Sequence, residues 1–107
     1  MSKTDDTIVQ LCGPVTGLPQ EEAVAAFDRA ERMLYDCSNC EVISPVKVVP
    51  ADWSHERAMR RCLRLLLTNA EALVTLDGWE VSAGARLEVA VARAIGMEVM
   101  TLEEAVS

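Results

Sequence analysis

Short apolar runs alternate with longer amphipathic stretches along the whole chain, and the two periods separate cleanly. Thr7–Cys12 (TIVQLC) reads as a first strand and breaks at Gly13-Pro14-Val15-Thr16-Gly17. From Gln20 to Asp36 the apolar positions Ala23, Ala26, Phe27, Ala30, Met33 and Leu34 recur at the helical period. Glu41–Pro45 is a second short strand, and Val46–Trp53, containing Pro50, is expected to be a loop. Ser54 is a natural N-cap for a second helix running to Thr68. Its inner stripe is Met59, Cys62, Leu63 and Leu66, and its outer stripe Arg57, Arg60, Arg61 and Arg64. Glu71–Leu76 is a third strand, too apolar to leave one face in water. A third helix spans Ala83 to Ile95 with Gly96 as its stop, and Met97–Met100 forms a fourth strand. Thr101 and Glu104 make a capping box that opens a last short helix.

Strands separated by helices imply parallel β-α-β units with right-handed crossovers. The expected fold is a small open parallel α/β sheet of about four strands, Rossmann-like or flavodoxin-like, with helices on both faces. At 107 residues, residues 1–107 form one expected domain, large enough to bury a real core. Half of the residues are hydrophobic but only 4% aromatic, so that core is built from Val, Leu, Ala and Met. No apolar run approaches the roughly 20 residues of a membrane span, and MSKTDDTIV lacks the apolar core of a signal peptide. A cytoplasmic protein without a membrane partner is expected. The net charge of −7 argues against polymeric nucleic acid, whose phosphates reward basic surfaces. A single small anion in a local pocket stays compatible with it.

Cys37 and Cys40 form a C-x-x-C, but no second such pair accompanies it and it follows a helix rather than opening one. The four cysteines, Cys12, Cys37, Cys40 and Cys62, are therefore read as incidental thiols. His55 is the only histidine and reads as a surface residue, so no histidine-based metal cluster is expected, and no cofactor either.

In open parallel sheets ligands bind beyond the carboxyl ends of the strands, where the strand order reverses. Three loops reach that edge: Gly13–Gly17, Pro45–Trp53 and Asp77–Gly84. The glycines of the first allow close approach of a ligand, or serve only an ordinary strand-to-helix turn. The third leads into a helix N-terminus, where free N–H groups and Ser82 favour an anion. Glu88 stands on the apolar stripe of Val91, Ala92 and Ile95, one turn after Gly84. The missing side chain at Gly84 is expected to leave space above this carboxylate, making Glu88 a candidate nucleophile or general base. The competing reading is a carboxylate satisfied by Arg86 or Arg93.

Three segments carry a family resemblance: LCGPVTGLP (Leu11 to Pro19), Asp52-Trp53 with MRRCLRLL (Met59 to Leu66), and GWEVSAGARLE (Gly78 to Glu88) with ARAIG (Ala92 to Gly96). In them the chain resembles the nucleoside 2-deoxyribosyltransferase superfamily, and within it a small bacterial and phage branch classed as a domain of unknown function. The resemblance runs in order from Ile8 to Val99. It implies that Glu88 attacks the anomeric carbon of a nucleoside or nucleoside 5′-monophosphate and displaces the base. The glycosyl-enzyme is then resolved by another base or by water, as in retaining glycosidases. The related 5′-monophosphate N-glycosidases bind phosphate with a serine six residues before that glutamate, the position of Ser82. Their loop after the first strand, C-G-x-x-x-G, is matched by Cys12, Gly13 and Gly17. Trp79 is placed to stack on a base or to pack in the core. Two departures stand out: Cys62 occupies the place of an aspartate that handles the leaving base, and Pro14 replaces a polar loop residue. Asp77 and Asp52 are the remaining candidates for the missing acid. If the acid is absent altogether, the alternative is a noncatalytic nucleotide-binding module. A receiver-like signalling domain is disfavoured, because the first strand ends in Cys12-Gly13 rather than in acids and no lysine closes the fourth.

The resembling enzymes complete their pockets with a neighbouring subunit, and four arginines crowd one face of an acidic chain. A homodimer or higher homo-oligomer is the expected assembly.

Overall fold

A computed structural model describes residues 2–107. Strand β1 (Ile8–Cys12) leads into α1 (Gln20–Cys37), β2 (Glu41–Ile43) and a single turn of helix, α2 (Pro45–Val48). Helix α3 (His55–Thr68) precedes β3 (Ala72–Thr75) and a 3₁₀ turn at Trp79–Val81. Helix α4 (Ala83–Ala94), β4 (Glu98–Thr101) and α5 (Leu102–Val106) complete the chain. The expected elements are all present, with one correction. Pro45 does not end the second strand, nor is Val46–Val48 loop: Pro45 opens α2, because its fixed φ suits the first position of a helix. Among the described residues no helix is long and apolar enough to cross a membrane.

The sheet is all-parallel in the order β2-β1-β3-β4. This order decides where each helix lies. The chain steps from β1 outward to β2, then returns past β1 to β3 and continues to β4. Right-handed crossovers in opposite directions fall on opposite faces. Helix α1 therefore covers one face, and α3 and α4 the other, while α5 folds back beside α1.

Alternation along the strands divides the core in the same way. Val9 and Leu11 of β1 join Phe27, Ala30 and Leu34 of α1, Val74, Met100 and Ala105 on the α1 face. Cys12 joins Leu66, Leu73, Ala85, Val89 and Ala92 under α3 and α4. Gln10, between Val9 and Leu11, is likewise buried. Buried Glu31 of α1 pairs with Lys47, tying α2 to that helix.

Local capping agrees with the sequence pattern throughout. Ser54 Oγ accepts from Arg57 N–H and Ser82 Oγ from Ala85 N–H. Thr101 and Glu104 form the expected capping box. Gly96 ends α4 at φ +75°, a conformation that favours glycine.

Candidate functional site

The chain reverses its direction across the sheet at β1, and a cavity of about 330 Å³ opens beyond that strand's carboxyl end. Cys12 and Gly13 form part of its wall, with Val15 and Thr16 from the following loop. Pro45, Val46, Val49 and Pro50 close one side. Helix α3 contributes His55, Ala58 and Cys62, and α4 contributes Ser82 from its cap, then Gly84, Ala85 and Glu88.

Glu88 is 5% exposed, although it lines this cavity. Burial pushes its carboxyl up to about 7, because a charge there loses water without gaining a cation; the Gln10 hydrogen bond opposes the shift. Gln10 Nε2 donates to Glu88 Oε2 at 3.3 Å and to the carbonyl of Cys62 at 3.0 Å. Among the described residues the single side-chain partner of the carboxylate is thus a neutral amide on β1. Arg86 and Arg93 are exposed and form no ion pair with it, so the reading of Glu88 as an arginine-satisfied carboxylate is not what the fold builds. Its Oε1 has no hydrogen-bond partner among the described residues. Such a group can act as a nucleophile, or trade a proton near neutral pH.

The two cysteines beside it are neutral companions. Desolvation, and then the nearby Glu88 charge, push the Cys12 thiol far above its ordinary range and Cys62 to about 12. Ser82 caps α4 with its oxygen, leaving its hydroxyl proton to donate to a ligand at the same helix end.

Gly84 does not act as expected. A Cβ there would lie 2.8 Å from Met59 Sδ and 3.5 Å from His55 Cε1. The space vacated by the glycine is occupied by α3, so Gly84 sets how closely α3 and α4 approach rather than opening room above Glu88. Gly13 is similar, since a Cβ at that position would meet Leu76 Cβ at 3.0 Å. It fits the ends of β1 and β3 together while its backbone borders the cavity.

The expected site residues divide between two clefts. Cys12, Gly13, Ser82, Gly84 and Glu88 share the cavity. Pro14, Asp77 and Trp79 line a separate cleft of about 420 Å³ that is also walled by Phe27, Met33 and Leu102 of the α1 face. Asp77 is thus not brought to Glu88. The reason is topological: Asp77 lies in the cleft beside α1, whereas Glu88 stands on α4 across the sheet. Trp79 is half-buried and also packs on the α4-side core, which favours the packing reading over stacking. Gly17, at φ +89°, supplies the turn but lies outside the cavity wall. Asp52 is exposed and outside it too.

Two residues of the site were missed by sequence reasoning. Gln10 gave a signal, a polar residue in the middle of an apolar strand between Val9 and Leu11. His55, read as surface, is exposed yet borders the cavity, with Nδ1 3.4 Å from Thr16 Oγ1.

Fold and cavity together define a small, doubly wound α/β protein with a buried carboxylate at its switch point. The chain belongs to the family described as a domain of unknown function, DUF4406, whose profile matches residues 7–101. That span takes in every cavity residue named above. No curated protein matches the chain.

Proposed function

We propose that this protein cleaves or exchanges the N-glycosidic bond of a nucleoside or nucleoside 5′-monophosphate through a covalent glycosyl-Glu88. The observation that carries this reading is Glu88 itself. It is a buried carboxylate with one oxygen tethered and one unpaired, in the wall of a cavity that also holds a helix N-terminus. A nucleophile needs fixed geometry and little competing solvation, and this environment supplies both. Ser82 and the first N–H groups of α4 are suited to a 5′-phosphate. The likeness to nucleoside 2-deoxyribosyltransferases in Gly78–Glu88 supports the same chemistry.

The test is a panel of deoxynucleosides and their 5′-monophosphates, scored for base release. Glu88→Gln keeps the shape and removes the anion; base release should disappear. Ser82→Ala should weaken monophosphates by roughly tenfold or more relative to nucleosides, as expected for losing a hydrogen bond to a charged group. Undiminished turnover by the Glu88 variant sinks the proposal.

A second reading is a nucleotide-binding module without turnover. It is favoured because, among the described residues, Glu88 is the one carboxylate in the cavity wall, and because the Cys62 thiol is pushed up to about 12. Thermal stabilisation by a nucleotide without base release would select it.

We also propose that the protein works as a homodimer. Arg57, Arg60, Arg61 and Arg64 are exposed and make no ion pair among the described residues. Leu67, Leu87 and Ile95 of the same two-helix layer are about half exposed. Light scattering in moderate salt should report twice the single-chain mass of 11.7 kDa, and a monomer mass overturns the assembly.

A further inference from the structure

We propose that His55 is the proton donor to the leaving base, so that the acid of this site stands at the start of α3 rather than on its inner stripe. The inference rests on the glycosidic reading above and supplies the group that reading lacks. When an N-glycosidic bond breaks, its electron pair goes to the base nitrogen. A purine or pyrimidine leaves readily only if a proton meets that nitrogen.

Four titratable side chains border the cavity: Cys12, Cys62, Glu88 and His55. The two thiols hold their protons too tightly to give one up near neutrality. Glu88 must be ionised to attack, so it cannot donate in the same step. His55 remains, and imidazole is the commonest side chain for general acid catalysis.

The geometry fits that role. His55 is the first residue of α3, and its ring spans the mouth between the loop after β1 and the first turn of α4. Nδ1 lies 3.4 Å from Thr16 Oγ1, which leaves Nε2 without a protein partner among the described residues. Cε1 sits 3.5 Å from where a Cβ of Gly84 would stand, ordinary contact distance, so the ring rests against the first turn of α4. Gly84 precedes Glu88 by one helical turn, a rise of about 6 Å. Imidazole and carboxylate border one cavity of about 330 Å³, so an anomeric carbon can meet one while a base nitrogen meets the other.

In the first step Glu88 Oε1 bonds to the anomeric carbon as the C–N bond breaks. The electron pair of that bond goes to the base nitrogen, which takes the proton of imidazolium Nε2. In the second step a water oxygen, or the nitrogen of an incoming base, bonds to the same carbon and gives its proton to the neutral imidazole. The ester bond breaks and its pair returns to the Glu88 carboxylate.

The test uses the full chain with two substrates: a 2′-deoxynucleoside, and 4-nitrophenyl 2-deoxyriboside, whose phenolate leaves without a proton. The unaltered protein should cleave both and Glu88→Gln neither. His55→Asn should lose about 10²–10⁴-fold on the nucleoside but less than about tenfold on the nitrophenyl donor. Because His55 is exposed, the variant should melt with the unaltered protein, and a calorimetric scan checks this. Cleavage of the nucleoside at the unaltered rate, or equal losses on both substrates, overturns the assignment of His55 while leaving Glu88 in place. If the unaltered protein cleaves neither substrate, or Glu88→Gln cleaves both, the glycosidic reading fails and this inference falls with it.

Discussion

The two faces of the sheet are built to different ends. On the α1 face, Val9, Leu11, Phe27, Leu34, Val74 and Met100 meet in a large apolar layer, with the buried Glu31 paired to Lys47 at its margin. Under α3 and α4 the apolar cluster is smaller, and it surrounds a glutamine and a glutamate that are both nearly sealed from water. Gln10 Oε1 there has no partner among the described residues, and a buried orphan acceptor costs about 1–3 kcal/mol. Burial of Glu88 disfavours its charged form and raises its carboxyl to about 7, so ionisation there comes at a cost. The α1 face thus supplies stability that the α4 face gives up to keep a buried carboxylate in place. A domain with a total stability of about 5–15 kcal/mol can carry such a layer only if the opposite one is well packed.

The comparison breaks first under Phe27→Ala. Phe27 is fully buried, and its truncation should cost about 3–5 kcal/mol through lost burial and the cavity left behind. Urea unfolding reads this directly; a loss under about 1 kcal/mol would mean the α1 layer is not the main support.

On the other face the sign reverses. The Glu88 carboxyl has an ordinary value of 4.5 and a folded value of about 7. Between these pH values the native state keeps a proton that the unfolded chain has released. The contribution of Glu88 to stability is therefore greatest below pH 4.5, falls as pH rises to about 7, and stays low above that. At about 1.4 kcal/mol per pH unit the span amounts to about 3 kcal/mol. Glu88→Gln, neutral at every pH, should be more stable than the unaltered protein by about that much at pH 8, with no gain near pH 4. A difference in stability that does not vary with pH would show that the carboxyl is not held in a desolvated site.

A smaller effect is expected at Gln10. Gln10→Leu removes the one side-chain hydrogen bond that favours the charged form of Glu88, so the carboxyl should titrate higher. The midpoint should rise by about one pH unit, followed by difference infrared spectroscopy of the carboxylate. An unchanged midpoint would separate the two side chains.

The smallest change in stability belongs to Gly84→Ala. Helix propensity gains about 1 kcal/mol, while Met59 must swing away from the new methyl group. The net change in unfolding free energy should stay within about 1 kcal/mol.

What the sequence determined by itself was local. The 3.6-residue stripe from Ala23 to Leu34, the caps at Ser54, Ser82 and Thr101, and the stop at Gly96 each depend on neighbours within a few residues. The alternation of strand and helix then made a parallel sheet the only economical assembly. Glu88 was legible for the same reason, as a charge on an apolar helical stripe. Tertiary structure decided everything that depended on residues far apart in the chain. The order β2-β1-β3-β4 put α1 and α4 on opposite faces, and only then did Asp77 and Glu88 fall into different clefts. Gln10 found Glu88 across 78 positions. Gly84 proved to be filled by Met59, which sits 25 positions earlier, rather than open. A local pattern records which side of an element faces inward, but what waits there is set by which strands pair and how closely two helices pack.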